Sequence, residues 1–224
     1  MLMTDGEIRA AMEAGKLGIE NFSETNLEAA SYDMRFGSRL LVSSNDTEID
    51  LSQKTSATLK PGEFALVTTY ENLHLAHDIA GHIGVKSYYT RKGIVVLSGL
   101  QIDPGFEGVL VIGMYNASPR SLTLEYLAPF CTVEFHQLAK PAEKPFVAGW
   151  EQKEGRIPRV DKDYLRTLET ESLSEMAQSI RQLTQNVASL SQSVKTMQWV
   201  MGIGFSFIGL VVALSSILTA LKLK

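Results

Sequence analysis

An uncharged apolar run near the end of the chain, from Trp199 to Leu221, is the feature that most constrains its structure. Its 23 residues include no Asp, Glu, Lys, Arg, His, Asn or Gln. At about 1.5 Å rise per residue, a helix of this length extends roughly 34 Å, enough to cross a hydrocarbon core of about 30 Å. We therefore expect a transmembrane helix and a short basic tail over 198–224, with the globular part anchored to the membrane by its C-terminus.

Small side chains recur within this run at alternating spacings of four and three. They are Gly202, Ser206, Gly209, Ala213, Ser216 and Ala220. Such a stripe lets helix backbones approach closely in lipid, although Gly and Ala are also common in membrane helices that do not associate. We expect helix association rather than a pore, because only three serines and one threonine are present to line one.

The rest of the chain is acidic. Residues before Gln198 include 19 Lys and Arg against 25 Asp and Glu. Because proteins that bind nucleic acids present a basic face to phosphates, this balance disfavours nucleic acid as a main partner. The single cysteine, Cys131, cannot form an internal disulfide, and the first fifteen residues contain no apolar signal segment. We expect the globular part to be cytoplasmic.

Residues 160–197 have the pattern of a coiled-coil stalk. Apolar residues recur at alternating spacings of three and four, at Leu173, Met176, Ile180, Leu183, Val187, Leu190, Val194 and Met197. This spacing is typical of a coiled-coil seam, and a single amphipathic helix lying on its own domain is the competing interpretation. Valine alternating with leucine favours two strands in the coil, in tension with the trimer considered below.

The residue pattern over 1–159 predicts a mainly β domain. Thr4 and Glu7 carry a capping box, which predicts a short N-terminal helix that ends near Gly15. Short apolar runs then alternate with turn residues, which is typical of a β-sandwich or a β-barrel. The runs are 39–42, 63–69, 94–97, 109–115 and 129–135. The stretch 141–159 contains three prolines and two glycines without periodicity, so we expect an extended arm that ends the domain.

Most familiar catalytic motifs are missing from this domain. It has no P-loop, no G-x-S-x-G and no G-x-G-x-x-G, and Cys131 lacks the second cysteine of the zinc-deaminase motif. The histidines lack the cysteine or carboxylate spacing that completes a tetrahedral zinc site. They are His74, His77, His82 and His136. We expect structural or surface histidines and no metal held by protein ligands.

A polar group remains inside the β region. One segment carries Lys86, Ser87 and Arg91, and a second, beyond a predicted strand, carries Gln101 and Asp103. Two basic side chains, a hydroxyl and a carboxylate on a turn suit a phosphorylated ligand. From the residues alone, solvated turn charges are an equally good interpretation of the two basic side chains.

These segments resemble the dCTP deaminases, which share a trimeric, mostly β fold with the dUTP pyrophosphatases. The matching residues are Ser31–Gly37, Lys86–Ser87 with Arg91 and Gly93, Ile102–Gly108 and Tyr115–Asn116. The I-D-P-G-F-x-G stretch is the most specific of them, and the likeness covers roughly residues 4–156. The resemblance implies a homotrimeric head with a dUTPase-like barrel or sandwich.

The resemblance also implies where a nucleotide would bind. In that family the serine-arginine segment contacts the nucleotide at subunit boundaries, which assigns Ser87 and Arg91 to binding, with Lys86 where an arginine is usual. The base and sugar would lie beside Gln101 and Asp103.

The C-terminal arm of the family folds over the triphosphate. The corresponding stretch here is Trp150–Arg156, a partial match in which Lys153 and Arg156 are the candidate phosphate contacts. The resemblance implies that any Mg²⁺ would arrive with the triphosphate.

One position departs from the family pattern. The deaminases carry a glutamate three residues before the asparagine that matches Asn116, and this chain has Gly113 there. Attack of water on cytosine needs a group that accepts a proton and returns one to the leaving amine, and such help is typically worth about 10² to 10⁴ in rate. Glycine does neither. Glu107, Glu134 or Asp103 could substitute only by reaching the same water.

Three hypotheses follow. The first is a membrane-anchored homotrimer that binds a deoxynucleotide as a sensor or effector in signalling or defence, with catalysis lost or weak. The second is an active dCTP deaminase, or a dUTP pyrophosphatase with Asp103 as its base, tethered to the membrane. The third is an assembly scaffold with a dead pocket. Gly113 favours the first and third, whereas Ser87, Arg91 and Asp103 favour the first two.

Overall fold

The computed structural model describes residues 1–45, 47–147, 149–167 and 179–199. The chain divides into two compact units, Met1–Ser174 and Glu175–Lys224. We refer to the described part of the first unit as the head.

The described part of the second unit is a helix over 179–199. The six predicted seam residues within this helix are between 47% and 64% exposed. The coiled coil stays a prediction, because an apolar stripe exposed on one chain is compatible with either interpretation of the stalk. Leu173, Met176 and the apolar run beyond Trp199 lie outside the described residues. Among the described residues, no helix is long and apolar enough to span a membrane.

The head is mainly β, as the sequence predicts. Its helices are α1 (Asp5–Glu13), α2 (Leu51–Lys54), α3 (Ser87–Thr90), α4 (Trp150–Lys153) and α5 (Arg159–Thr167), with a 3-10 turn at Glu24–Asn26. Its strands are β1 (Leu17–Glu20), β2 (Leu27–Glu28), β3 (Ser31–Val42), β4 (Ile49–Asp50), β5 (Ser56–Leu59), β6 (Phe64–Leu75), β7 (Ile79–Val85), β8 (Ile94–Val96), β9 (Gln101–Ile102), β10 (Glu107–Asn116), β11 (Leu122–Glu125) and β12 (Pro129–Gln137). Each apolar run expected to be a strand overlaps one of these strands.

The N-terminal helix begins as its capping box predicts. The Thr4 hydroxyl accepts a hydrogen bond from the Glu7 N–H, and the Thr4 N–H donates to the Glu7 carboxylate at 2.8 Å. Gly15 follows the helix with a φ of +68°, a left-handed conformation that glycine adopts without steric cost. Local chemistry therefore sets both ends of α1.

Strand β3 curls the sheet because its two halves have different partners. Its first half pairs with β12 and its second half with β6. The strand order is β8-β10-β6-β3-β12-β7-β9, and the pairings between the described strands are antiparallel. Large side chains with almost no exposure fill the core, among them Tyr32, Met34, Phe36, Phe130 and Phe135. This curled antiparallel sheet agrees with the barrel or sandwich that the sequence predicts.

Gly37 lies where β3 passes from one partner to the other. A Cβ at this position would lie 2.7 Å from the Thr68 hydroxyl oxygen and closer still to the Thr69 carbonyl oxygen. Beside it, the buried Glu71 carboxylate accepts hydrogen bonds from Arg35 N at 2.8 Å and Arg35 Nε at 2.6 Å. Burial raises the pKa of Glu71, and the hydrogen bonds from Arg35 oppose that shift. The crossing therefore combines a steric requirement for glycine with a buried ion pair.

The head continues beyond residue 159, where we expected it to end. Ile157 is fully buried, and Leu165 of α5 is 2% exposed. Both belong to one apolar cluster with Leu41 of β3. The stretch 141–159 is therefore more than an extended arm, because its end and α5 pack against the sheet.

We expect Gly37→Ala to lower the free energy of unfolding by about 1–3 kcal/mol, the usual cost of overpacking, because the new methyl would meet the backbone of β6. Gly6→Ala is the matched control. A Cβ at Gly6 in α1 has no neighbour within 4 Å, so this change should be neutral or raise the free energy by up to about 1 kcal/mol. Denaturant unfolding measures both values, and equal stabilities would contradict the steric argument.

Candidate functional site

The first predicted binding segment lies at the end of β7 and around α3. Lys86 precedes this helix, and its ammonium pairs with the Asp33 carboxylate of β3. Ser87 and Arg91 are exposed, and the Arg91 N–H donates to the Ser87 carbonyl oxygen at 3.0 Å. Lys86 thus ties the segment to the core, and its contact with a nucleotide stays a prediction. Ser87 and Arg91 lie on the surface, where a ligand can reach them.

Arg91 lines a cleft of about 740 Å³. Its walls are residues 91–93 and 118–122. Arg120 in the second wall is not among the predicted site residues, although it lies four residues after the matched Asn116, in a Ser-Pro turn. A basic residue in a turn that follows a family motif was the available signal.

The second predicted segment lies in and just after β9, the strand that pairs with β7. Gln101 Nε2 in β9 donates to Asp103 Oδ1 at 2.6 Å, and both residues are exposed. The cleft beside Arg91 does not include either of them. A single chain therefore does not bring the two predicted halves of the site into that cleft.

The basic residues predicted for the arm lie outside the cleft beside Arg91. The Lys153 ammonium pairs with the Glu107 carboxylate of β10. Arg156 lies 3.4 Å from a Glu154 carboxylate oxygen, and its Cζ is 5.8 Å from the centre of the Trp150 ring. Lys153 lines a separate cavity of about 620 Å³, together with His74, His77, Asp78, Phe146 and other residues.

Gly113 lies in β10, opposite Leu66 of β6. Its N–H donates to the Ser98 hydroxyl, and its carbonyl oxygen accepts from Leu97 N at 2.9 Å. A Cβ at Gly113 would lie 2.8 Å from Phe64 Cζ and 3.3 Å from Ser98 Oγ. No side chain fits here unless Phe64 moves.

The sheet face around Gly113 is apolar. Val111 shares this face, because residues two apart on a strand point the same way. Together with Phe64 and Leu66, Val111 packs against the cluster of Leu41, Ile157 and Leu165. Apolar side chains and the end of the arm therefore lie where the resemblance would place a catalytic carboxylate.

The carboxylates considered as substitutes are positioned for other contacts. Glu107 lies six residues before Gly113 on the same strand, on the order of 20 Å away, and its hydrogen bond from Lys153 lowers its pKa. Glu134 lies on β12, with a carboxylate oxygen 3.8 Å from His136 Nε2. Asp103 is bonded to Gln101. Across the described residues, no group of three or more His, Cys, Asp or Glu is arranged to hold a metal ion.

Comparison with known proteins finds relatives along most of the head. A family model described as dCTP deaminase-like matches residues 2–138. The dCTP deaminase of Thermococcus kodakarensis is 34% identical over 146 residues, which are 65% of this chain and 89% of that protein. The dUMP-forming dCTP deaminase of Nocardia farcinica is 32% identical over an alignment that covers 74% of this chain and 92% of that protein.

The head also resembles solved structures. One of them is the 2'-deoxycytidine 5'-triphosphate deaminase from Agrobacterium tumefaciens, with a TM-score of 0.51 and 24% identity over 60% of this chain. The similarity covers 47% of that protein, so this chain spans about half of its length. At this identity the likeness shows the fold alone, and the fold agrees with the one that the sequence motifs imply.

We expect Gly113→Ala to lower the free energy of unfolding by about 1 kcal/mol, the low end of the usual cost of overpacking, because its methyl would meet only the outer end of the half-buried Phe64 ring. Phe64→Leu removes the Cζ atom that causes this overlap. Gly113→Ala should therefore cost less in the Phe64→Leu background, and a double-mutant cycle by urea unfolding measures the difference. Strictly additive effects would mean that Phe64 does not fill this space.

Proposed function

Because the chain belongs to the dCTP deaminase-like family, we propose that its head binds a cytidine-class deoxynucleoside triphosphate and that deamination is lost or weak. The absence of a side chain at Gly113, with Phe64 against that position, carries the proposal. The exposed Ser87 and Arg91 support nucleotide binding, and so does dCTP, the substrate after which the relatives are named.

A complete nucleotide site requires more than one copy of the chain. We propose a homotrimer in which Ser87 and Arg91 of one copy meet Gln101 and Asp103 of the next. This arrangement would let the two groups share a ligand, although the cleft beside Arg91 in one chain includes neither Gln101 nor Asp103.

The phosphates and the base would be recognised by different chemistry. The Arg91 guanidinium can donate two parallel hydrogen bonds to phosphate oxygens, and Lys153 and Arg156 of the arm would add positive charge once Lys153 leaves Glu107. Gln101 and Asp103 offer an amide and a carboxylate to the polar edges of the base and sugar. A Mg²⁺ ion would be carried by the triphosphate oxygens.

Active deamination is the second candidate function. The similarity to the Thermococcus dCTP deaminase, which extends over 89% of that protein, favours it. It requires a proton acceptor near the bound base, which Gly113 does not supply. A dUTP pyrophosphatase would use Asp103 as its base, and a scaffold would bind no nucleotide at all.

The last quarter of the chain adds membrane attachment to the proposal. The uncharged run over 199–221 would anchor the chain, and the seam over 173–197 would join copies of it. In this arrangement nucleotide binding by the head would be a signal at the membrane, as in a sensor or effector.

We expect the full chain to bind dCTP in calorimetry while releasing ammonia from it about 10² to 10⁴ times more slowly than the Thermococcus enzyme assayed beside it, because a general base is missing. Arg91→Gln should weaken binding about ten- to hundredfold through loss of a charge-assisted contact. Lys140→Gln, at an exposed position outside the cleft, is the charge-matched control.

Two variants test why turnover is slow. Gly113→Glu should stay inactive because Phe64 blocks the carboxylate, whereas Gly113→Glu combined with Phe64→Leu should gain ammonia release. Rapid deamination by the unmodified chain would establish the second candidate function in place of the first. If the chain bound no deoxynucleoside triphosphate, the scaffold hypothesis would remain.

We expect the full chain to sediment with membranes and to resist extraction at high salt, because 23 uncharged residues favour insertion. A chain that ends before Gln198 should stay in the supernatant. Recovery of the full chain in the high-salt supernatant would exclude an integral anchor.

A further inference from the structure

The cleft between residues 91–93 and 118–122 contains three basic side chains and no acidic one. They are Arg91, Lys92 and Arg120. Only Arg91 has a role in the function proposed above. Lys92 and Arg120 have none, although they line the same cleft.

Ion pairing is common among the basic residues of this head. Most of its basic residues have a carboxylate oxygen within 4.0 Å, namely Arg9, Lys16, Arg35, Arg39, Lys60, Lys86, Lys153, Arg156, Arg159 and Lys162. Among the described residues, no carboxylate lies that close to the three cations of the cleft. A concave surface with charge of one sign attracts ions of the other sign.

Hydrogen bonds from the Asn116 side chain fix the wall that carries Arg120. The fully buried Asn116 side chain donates from Nδ2 to the carbonyl oxygens of Leu59 and Arg120, each at 2.9 Å. Its Oδ1 accepts from Ser118 N at 3.0 Å and from Ser118 Oγ at 2.7 Å. These bonds fix the backbone of the turn and leave the Arg120 side chain outside the network.

The two walls are locked together at Gly93. A Cβ there would lie 2.7 Å from Ser118 Cβ, and the residue has a φ of +88°. The Ala117 N–H donates to the Gly93 carbonyl oxygen at 2.9 Å. The neighbouring Lys92 ammonium donates a hydrogen bond to the Tyr88 hydroxyl and lies 3.9 Å from the centre of the Tyr88 ring. These contacts steady its position and leave its charge unneutralised.

We propose that this cleft binds a phosphate-bearing anion and that Arg120 and Lys92 contact it together with Arg91. A volume of about 740 Å³ lies within the range of about 300–1,000 Å³ that is usual for small-molecule sites. The phosphate chain of the proposed nucleotide and a separate polyphosphate share this chemistry. The inference rests on the proposed function only through Arg91.

Inorganic triphosphate is the probe that isolates this chemistry, because it has no base or sugar. Calorimetry on the full chain should detect its binding, and Arg120→Gln should weaken that binding at least about tenfold, as expected for a charge-assisted contact. Lys92→Gln should act in the same direction, and Arg120→Lys should keep part of the affinity. Lys140→Gln, which removes the same charge outside the cleft, should change the affinity less than twofold.

Thermal unfolding of Arg120→Gln should match the unmodified chain, because Asn116 holds the Arg120 backbone and not its side chain. Failure of the unmodified chain to bind triphosphate would overturn the inference. So would equal losses in Arg120→Gln and Lys140→Gln, which would indicate nonspecific attraction.

A parallel titration with dCTP distinguishes the two sources of the anion. Equal weakening of dCTP and triphosphate by Arg120→Gln would identify the phosphate chain of the nucleotide as the anion. Weakening of triphosphate alone would identify a separate anion. Triphosphate binding that depends on Arg120, in a chain that does not bind dCTP, would support this inference and contradict the proposed function.

Discussion

The close passage of β3 over β6 at Gly37 is the contact on which the rest of the head depends. The same strand carries Asp33, which holds Lys86 and hence the turn with Ser87 and Arg91. Further along it carries Leu41, which packs beneath α5. The buried Arg35–Glu71 pair closes the crossing from the side, and removing either partner would leave an uncompensated buried charge. One bent strand therefore positions both the candidate binding turn and the apolar cover of Gly113.

Local patterns were enough to predict the elements of the head but not their long-range contacts. The capping box and the alternation of apolar runs with turns act over a few residues, so α1 and the main strands were predictable. The end of the head was not, because Ile157 and Leu165 follow a stretch without periodicity and are buried only by contact with distant strands. The glycine of the Ser31–Gly37 match was visible in the sequence, but its steric reason lies in β6, more than thirty residues away.

The candidate site likewise has a part that the sequence predicts and a part that depends on long-range contacts. Ser87 and Arg91 were predicted by resemblance and lie on the surface as a binding role requires. The partner of Lys86 lies 53 residues earlier in the chain, and no local pattern indicates such a pair. Arg120 was overlooked because a single arginine in a turn has no signature until folding brings it beside Arg91. The departure at Gly113 was visible in the sequence, but its steric reason was not, because only the fold places the Phe64 ring in the space beside it.

The ion pair between Lys153 and Glu107 has a consequence for how a ligand would respond to salt. A phosphate that recruits Lys153 must first displace Glu107, so one ionic contact is exchanged for another. Dissolved salt screens the old contact and the new one alike, and the contribution of the arm to affinity should vary little with ionic strength. Arg91 and Arg120 have no such internal competitor within the described part of the chain. The salt sensitivity of binding should therefore come from the cleft, while the arm acts as a nearly salt-independent closure.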